Sequence, residues 1–312
     1  MNKLNRLLIF ANDAASANVT MAYSYIYKDK YSEILAYPNG AASIIYKEHI
    51  QHYISNSSYN FLSTDTVVLG TSGIDASFEM NLLIKAKKAG VKTIIIIVDN
   101  ISNFNMRFTI NNKIIDKIYL PNEIWIFTKN FQSDYEHINN KLIYKENIYY
   151  QFLKQKYTNK PPLIKHKFVK KYKNKYLVIL TEYIYELYGL QFGFTEYDIV
   201  ENILQVVNNL NLSIPIFLKL HPRENKNKFN ILLRKYNKVN IINDNCNIQE
   251  LIYYSKLIFG IRSSVFIECK LFQKPVFSIQ IGSNNKTTNN IITIIYSLED
   301  LKEILKKYFL NS

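Results

Sequence analysis

The stretch Phe217-Leu218-Lys219-Leu220-His221-Pro222-Arg223-Glu224 joins a short apolar run to a polar turn. The apolar run has the length of a buried strand, and the proline after the imidazole removes a backbone donor and stiffens the turn. Parallel α/β sheets bind their ligands at such strand ends. We therefore predict a buried strand over 215–220 that delivers His221 to the ligand-binding edge of a sheet.

A second junction of this kind is Gly260-Ile261-Arg262-Ser263-Ser264-Val265-Phe266-Ile267-Glu268, which runs from an apolar strand through a polar loop into a helix. Two adjacent hydroxyls and the free N–H groups of a helix start can bind an anion. Glu268, one turn into the helix, could accept a hydrogen bond from a ribose hydroxyl. The simpler alternative is a serine N-cap followed by an acidic first turn.

Together the two junctions predict a nucleotide site in which neighbouring strand tips hold a phosphate between an imidazole and a pair of hydroxyls. The predicted donor-binding residues are Lys219, His221, Pro222, Arg223, Arg262, Ser263, Ser264 and Glu268.

Strands and helices alternate along both halves of the chain. Apolar runs predict strands at 7–10, 66–70, 91–98 and 123–128, and then at 176–181, 215–220, 238–242, 257–260 and 275–279. Helical spacing predicts helices at 18–27, 76–89, 195–209, 248–254, 265–271 and 298–309. Near-continuous apolar strands that alternate with helices favour parallel sheets covered on both faces. The prediction is an α/β fold of two doubly wound Rossmann-like domains that face a central cleft.

The predicted domains are residues 1–160, on the acceptor side, and residues 161–312, which bind the nucleotide donor. Pro161-Pro162 and the lysine-rich run from Lys165 to Lys175 indicate a linker between about 151 and 175.

The chain has 312 residues and a formal net charge of +14. Such a charge fits nucleic acid, an anionic membrane or an acidic sugar polymer, or it is simply a solvated surface. No nucleic-acid-binding module is recognisable, so nucleic acid is excluded as a partner, and contact with anionic membrane lipid stays open. The first apolar run, 7–11, is too short for a signal peptide or a membrane span. We expect a cytoplasmic protein, either free or peripheral at the inner face of the cell membrane.

Motifs of other chemistries are missing from the sequence. It contains no HExxH, CxxC, GxSxG, Walker P-loop or GxGxxG pattern, and Cys246 and Cys269 stand apart. We therefore expect no cofactor and no metal requirement.

Taken together, Lys219-Leu220-His221-Pro222, Ser263-Ser264, Glu268 and Lys274-Pro275-Val276 resemble the C-terminal half of bacterial GT-B sialyltransferases. The likeness extends to related transferases of legionaminic, pseudaminic and other nonulosonic acids. In the first half it includes Gly70-Thr71-Ser72-Gly73, Val98-Asp99-Asn100 and Leu120-Pro121-Asn122-Glu123-Ile124-Trp125. The same His-Pro and Ser-Ser pair occurs in CDP-glycerol phosphotransferases, the nearest alternative.

The resemblance implies an inverting, metal-independent glycosyltransferase. It would move sialic acid or a related nonulosonic acid from a CMP-sugar donor to a glycan acceptor in a capsule or lipooligosaccharide. His221 and the serine loop would stabilise the leaving CMP phosphate, while a carboxylate removes the proton from the acceptor hydroxyl. One alternative is a CDP-glycerol-type glycerophosphotransferase of polymer synthesis. A second is a non-catalytic glycan- or membrane-binding protein with a decayed transferase fold.

The base in these families belongs to an acidic motif that ends in glycine, and its nearest counterpart here is Thr181-Glu182-Tyr183, which lacks the glycine. Glu182 is the first candidate because of its strand-end position. Asp13 is the second, with a helix N-cap as the competing interpretation, and Glu186 and Asp99 rank behind it. The predicted acceptor-side residues are Asn12, Asp13, Ser72 and Gly73.

Overall fold

The computed structural model describes residues 4–71, 76–98, 104–111, 113–129, 131–158, 160–236, 239–242, 246–284 and 292–311. The chain divides into two compact units, residues 1–156 and 157–312. Within the described ranges, no helix combines the length and the apolarity needed to cross a bilayer.

The first unit contains a six-stranded parallel sheet in the order β2-β1-β3-β4-β7-β8 and a two-stranded antiparallel ribbon of β5 and β6. Its strands are β1 (Leu4–Ala11), β2 (Tyr31–Pro38), β3 (Thr66–Gly70), β4 (Lys92–Ile96), β5 (Thr109–Ile110), β6 (Lys113–Ile114), β7 (Glu123–Ile126) and β8 (Leu142–Tyr144). Its helices are α1 (Ala14–Tyr27), α2 (Ala42–His49), α3 (Ser77–Lys88), α4 (Glu136–Asn139) and α5 (Ile148–Tyr157).

Helix α1 packs closely on strand β3. A Cβ atom placed on Gly70 would lie 2.3 Å from the Cβ of Ser16, so only glycine allows this approach. Ser16 is fully buried, and Gly70 is buried as well. The contact holds the loop after β1, which carries Asn12 and Asp13, at the carboxyl edge of the sheet.

The second unit contains a six-stranded parallel sheet in the order β11-β10-β9-β12-β13-β14. Its strands are β9 (Leu177–Leu180), β10 (Ile216–Lys219), β11 (Val239–Ile242), β12 (Leu257–Gly260), β13 (Val276–Ile279) and β14 (Thr293–Ile295). Its helices are α6 (Lys167–Tyr172), α7 (Tyr185–Tyr188), α8 (Glu196–Asn209), α9 (Asn230–Leu233), α10 (Ile248–Tyr253), α11 (Phe266–Leu271) and α12 (Leu298–Phe309).

This strand order is the Rossmann order 3-2-1-4-5-6 when the strands are counted within the unit. The chain builds outward from β9 through β10 and β11, and then returns to the other side of β9 with β12. Helix α8 covers the sheet with Ile199, Ile203 and Leu204, all almost fully buried. Thr195 caps this helix, since its side chain accepts from the Asp198 N–H at 3.2 Å. The reversal beside β9 is the position where such sheets bind ligands.

The fold class predicted from sequence, with two doubly wound Rossmann-like domains, is confirmed. Strands β3 and β12 and helix α12 have the predicted bounds. The linker predicted over 151–175 is wrong in part, because it contains the end of α5 and all of α6. Proline and lysine content suggested a solvated segment, yet Phe152 and Val169 there are buried. The sequence also missed β2, whose half-exposed face breaks the continuous apolar pattern of a central strand.

Candidate active site

Three strand tips meet at the carboxyl edge of the second sheet. They carry Thr181 and Glu182 after β9, His221 after β10, and the loop with Ser263 after β12. Because β9 lies between β10 and β12, the His-Pro and Ser-Ser tips are not immediate neighbours, and that expectation is corrected. The acidic tip occupies the space between them. Carboxylate, imidazole and hydroxyls are therefore brought to one edge, with the carboxylate in the middle.

Glu182 joins the first of these tips to the third. The backbone N–H of Arg262 donates to its Oε1 atom. Burial raises the pKa of the Glu182 carboxyl to about 7, and the backbone N–H groups of Arg262 and Ile261 offset only part of that rise. Glu182 thus titrates near neutral pH, as a general base should.

His221 is half-buried and neutral. Burial, together with the positive charges of Arg223 and Lys228, lowers the pKa of His221 to about 4. The backbone N–H of Arg223 donates to Nδ1 at 3.2 Å, so the single ring hydrogen resides on Nε2. Tyr183 lies alongside with ring centroids 6.5 Å apart and an interplanar angle of 22°. The imidazole presents a hydrogen-bond donor at Nε2 without carrying charge.

Glu224 anchors the His-Pro turn from inside the domain. The backbone N–H of His221 donates to Glu224 Oε2 at 2.7 Å, and the hydroxyl of Thr181 donates to the same oxygen. The Glu224 N–H donates in return to the carbonyl of His221 at 2.9 Å. This buried carboxylate therefore ties the β9 and β10 tips together.

Lys228 lies behind Glu224 and is enclosed, with its side chain 2% exposed. Its Nζ atom is 2.8 Å from Glu224 Oε1 and 2.8 Å from Glu186 Oε1, and it also contacts Glu196 Oε1. These carboxylates raise the pKa of Lys228 although burial opposes the rise. Glu186, one of the further base candidates, is thus part of an ion cluster that supports the turn.

The serine loop differs in detail from the prediction. Helix α11 begins at Phe266 with Val265 as N-cap, and no side chain caps it, so the serine N-cap interpretation is wrong. The Ser263 hydroxyl accepts from the Val265 N–H at 3.3 Å, whereas the Ser264 side chain is exposed. Ser264 is therefore the hydroxyl that a ligand can reach.

Glu268 lies inside the domain, since the residue is only 5% exposed. Its Oε2 atom accepts from Gln249 Nε2 at 2.8 Å, an interaction between α11 and α10. The Glu268 carboxylate thus has a structural partner inside the domain, and its contact with a ribose stays a prediction.

The remaining predicted donor residues give this edge a positive charge. Arg223, Pro222 and Arg262 are exposed, and Lys219 is a half-buried residue at the end of β10. The guanidinium carbon of Arg262 lies 4.8 Å from the ring centroid of Phe192, in the loop after α7. Cations that surround a neutral imidazole suit an anionic ligand.

The carbonyl of Ile261 is held from the side of β13. It accepts hydrogen bonds from the hydroxyl of Ser278 and, at 3.5 Å, from Gln280 Nε2. The loop after α7 closely approaches the tip of β13. Only glycine fits at position 193, because a Cβ there would lie 2.5 Å from the carbonyl oxygen of Gly282 and overlap it. The walls of the site are thus built from four successive strand tips.

In the first unit, Asn12 and Asp13 follow β1 as predicted. Asp13 Oδ1 accepts from the Ser16 N–H at 2.7 Å and caps helix α1, which is the competing interpretation of this residue. Asn12 Oδ1 accepts from Asn39 Nδ2 at 2.9 Å. Ser72, Gly73 and Asp99 lie outside the described residues. Both described side chains therefore have structural partners of their own.

Sequence reasoning missed Thr181, Glu224 and Lys228 as members of the site. The available signal was spacing, since Glu224 follows His221 by three residues and Lys228 follows Glu224 by four. Their closure into one cluster with Glu196 depends on helix α8, far away in sequence. The described side chains include no group of three His, Cys, Asp or Glu residues arranged as metal ligands.

With its two Rossmann-like domains, the chain has the GT-B fold. It is similar to UDP-GlcNAc 2-epimerase from Methanocaldococcus jannaschii, with a TM-score of 0.63 and 16% identity over 98% of this chain and 93% of that one. It is also similar to S. aureus MnaA solved with UDP, with a TM-score of 0.56 and 13% identity over 97% and 87% of the two chains.

A third similar structure is the wall teichoic acid polymerase TagF soaked with CDPG. The TM-score is 0.52, and the identity is 13% over 97% of this chain and 79% of that one. No protein-family model and no curated protein matches the sequence. At these identities the likeness shows the fold alone.

Proposed function

We propose that the chain is a transferase that moves a group from a nucleotide-activated donor to an acceptor hydroxyl. The observation that carries this proposal is the meeting of Glu182, His221 and the serine loop on three adjacent strand tips. A carboxylate with a pKa of about 7 and an uncharged imidazole donor then lie at one edge of the sheet. Such a pairing suits proton removal on one side and leaving-group stabilisation on the other.

In this proposal the donor phosphate contacts both the His-Pro tip and the Ser-Ser tip, which flank Glu182. His221 donates its Nε2 hydrogen to a phosphate oxygen, and the exposed Ser264 hydroxyl donates a second hydrogen bond. Arg223 and Arg262 supply the positive charge that the neutral imidazole lacks. The His221 imidazole is oriented by the Arg223 N–H before the reaction, so it can stabilise the charge that develops on the leaving phosphate.

Glu182 acts as the base. The acceptor oxygen attacks the donor, the bond from the transferred group to the phosphate oxygen of the leaving nucleotide breaks, and that oxygen keeps the electron pair. Glu182 takes the proton of the acceptor hydroxyl. Its hydrogen bond from the Arg262 N–H also links the β9 and β12 tips, so Glu182 has a structural role beside its role as base.

The donor is a cytidine nucleotide that releases CMP. The likeness to TagF favours a CDP-glycerol-type donor, attacked at its glycerol-linked phosphorus. The sequence resemblance favours a CMP-nonulosonic acid, attacked at its anomeric carbon, with transfer to a bacterial surface glycan. Both reactions leave the same nucleotide, so the proposed residues have the same tasks in each.

The deciding experiment compares CDP-glycerol, CMP-sialic acid and UDP-GlcNAc in a melting assay and then in turnover with hydroxyl acceptors. A true donor at 100 times its dissociation constant stabilises the folded chain by about 2.7 kcal/mol. Release of CMP that depends on an acceptor supports the proposal. Stabilisation by UDP-GlcNAc alone, with conversion to its C2 epimer, refutes it, and binding of a cytidine donor without any CMP release indicates a decayed enzyme.

A further inference from the structure

The amino edge of the second sheet, opposite the strand tips of the candidate active site, carries a concentrated positive charge. From residue 157 to residue 181 the chain contains no Asp or Glu, and its lysines are Lys160, Lys165, Lys167, Lys170, Lys171, Lys173 and Lys175. All seven are exposed. Among the described residues none of them forms an ion pair with a carboxylate.

The packing of helix α6 explains why these lysines face solvent. Val169 is fully buried, and the rings of Phe168 and Tyr172 lie 6.2 Å and 6.3 Å from the ring of Phe217 in β10. The apolar residues of the helix are thus used by the core. The lysines between them are left on the outer surface, while Leu163 just before the helix is 77% exposed.

The carboxylate of Glu250, which contacts the start of this segment, does not neutralise its surface. Glu250 is 1% exposed and accepts hydrogen bonds from the backbone N–H groups of Lys165 and His166 at 2.9 Å and 2.8 Å. Its buried carboxylate binds the backbone at the start of α6 and does not face the exposed lysines.

A cavity of about 390 Å³ opens within this edge, between the segments that precede β9, β12 and β13. Its lining includes Lys173, Asn174, Tyr253, Phe272 and Lys274. Lys274 is half-buried and has no carboxylate partner among the described residues. Its Nζ donates to the carbonyl of Ser255 at 3.2 Å and lies 5.5 Å from the ring centroid of Tyr253. An ammonium group so placed leaves a site for an anion in a cavity with aromatic walls.

We propose that this edge docks the protein on an anionic membrane, with the cavity receiving a phosphate-bearing lipid headgroup. We call the exposed lysines from Lys165 to Lys175, together with Leu163 and Lys274, the docking edge. Clustered lysines attract anionic lipid surfaces, and an exposed leucine can enter the headgroup region. A soluble acidic polymer needs the charge but not the leucine. The amino and carboxyl ends of parallel strands lie at opposite edges of a sheet. The candidate active site, at the carboxyl edge, therefore faces away from the bilayer when the amino edge is docked.

The test is flotation of the full chain with vesicles of phosphatidylcholine, with and without phosphatidylglycerol. We expect binding only to the anionic vesicles. The double variant Lys167→Glu/Lys171→Glu should bind at least roughly tenfold more weakly, because each lysine near such a surface contributes about fivefold to partitioning. The matched control is Lys113→Glu/Lys117→Glu, which makes the same charge change at exposed residues of the first unit. Its affinity for the anionic vesicles should stay within roughly twofold of that of the unmodified protein.

Two further variants test the specific parts of the docking edge. Leu163→Ser should weaken vesicle binding without a change in charge, and Lys274→Gln should do so with an unchanged melting temperature. Equal binding to neutral vesicles, or an equal loss in the control pair, would overturn the proposal.

Two soluble probes separate the lipid from other anions. The first probe is alginate, an acidic polymer. If alginate displaces the vesicles, binds the lysine variants more weakly and binds Leu163→Ser as tightly as the unmodified protein, this edge is a polymer site and the lipid proposal is refuted. Glycerol phosphate that binds through Lys274 while vesicles fail to bind would refute it too. None of these measurements requires turnover, so they stand apart from the transferase proposal.

Discussion

The backbone N–H of His221 donates to the Oε2 atom of Glu224 at 2.7 Å, across a turn that contains only Pro222 and Arg223 between them. The Glu224 side chain is fully enclosed, so it cannot itself touch a ligand. It nevertheless determines where the imidazole lies, because the Thr181 hydroxyl donates to the same oxygen and joins the neighbouring tip. Glu224 is a positioning residue of the candidate site.

Glu224→Ala should destabilise the second unit by about 3 kcal/mol, because it leaves the His221 N–H and the Thr181 hydroxyl without their enclosed acceptor and removes one of the three carboxylates that pair with Lys228. CMP release should fall with it, since the imidazole loses its support. Chemical denaturation and turnover measure the two effects. The control Glu201→Ala removes an exposed ion pair with Lys235 and should change stability by no more than about 1 kcal/mol. Equal losses in the two variants would contradict the positioning role.

The rate of transfer should depend on the ionisation of Glu182. With a pKa of about 7, kcat/KM should rise about tenfold per pH unit below pH 7 and level off above it. His221, with a pKa of about 4, stays neutral over this range and adds no second limb. Glu182→Gln keeps an oxygen that can accept from the Arg262 N–H but cannot take a proton. It should abolish transfer and leave nucleotide binding intact, and a wild-type rate would move the base to Asp13.

The raised pKa of Glu182 should also make the free energy of unfolding depend on pH. Its folded-state pKa is raised from 4.5 to about 7, so the folded state holds the proton more tightly, and stability declines as pH rises from about 4.5 to 7. The full decline is at most about 3 kcal/mol by the linkage relation. His221 has the opposite sign, since its lowered pKa adds stability as pH rises from about 4 to 6.5. The difference between the unmodified protein and Glu182→Gln isolates the glutamate, and a flat difference curve would refute its raised pKa.

The two donor-side groups should differ in their kinetic effects. His221→Ala should remove most turnover, by roughly a hundredfold or more, because the imidazole contacts the developing charge on the leaving phosphate. Ser264→Ala should mainly weaken donor binding, with a smaller effect on kcat. Ser263→Ala is the matched control, since that hydroxyl accepts from the Val265 N–H within the loop. Steady-state kinetics with CMP release separates these outcomes, and a greater loss in Ser263→Ala would exchange the two assignments.

Lys228→Met should leave three carboxylates crowded in a largely enclosed space. We expect a loss of about 3–5 kcal/mol at neutral pH, as for other broken buried ion pairs. The loss should shrink in mild acid, where protonation removes the repulsion among Glu186, Glu196 and Glu224. Denaturation at pH 7 and pH 5 checks this, with Lys302→Met, in an exposed pair with Glu299, as control. An equal loss at both pH values would show that packing rather than charge is responsible.

Gly70→Ala should destabilise the first unit by about 1–3 kcal/mol, because the new methyl would overlap Ser16 of α1. Gly90→Ala is the control. It meets no atom within 4 Å, so only its positive φ of 70° opposes the change. Thermal melting of both variants measures the difference, and a neutral Gly70→Ala would mean that α1 can move away from the sheet.

The sequence predicted the central strands better than the edge strands. β3 and β12 are buried on both faces and therefore read as short continuous apolar runs. β2 escaped notice because two consecutive exposed residues, Ser32 and Glu33, interrupt that pattern. In the same way, the lysines of α6 suggested a linker although Val169 anchors the helix in the core.

Local sequence was likewise enough to predict some residues of the candidate site and not others. His221, Ser264 and Glu182 were predicted from the sequence because a polar residue in the loop after an apolar strand lies near a strand tip whatever the order of strands. Glu268 was predicted to contact a ribose, but its position one turn into a helix does not tell whether the side chain faces a ligand or Gln249.

By itself, the sequence determined the two doubly wound domains and the residues that end each strand, because apolar periodicity and turn chemistry are local properties of the chain. Only the tertiary structure decided that β9 lies between β10 and β12, that Glu182 therefore stands between the imidazole and the serines, and that Glu224 and Lys228 support them from within. The order of strands and the burial of charge depend on contacts between residues distant in sequence. Their free energies arise only when the sheet is assembled.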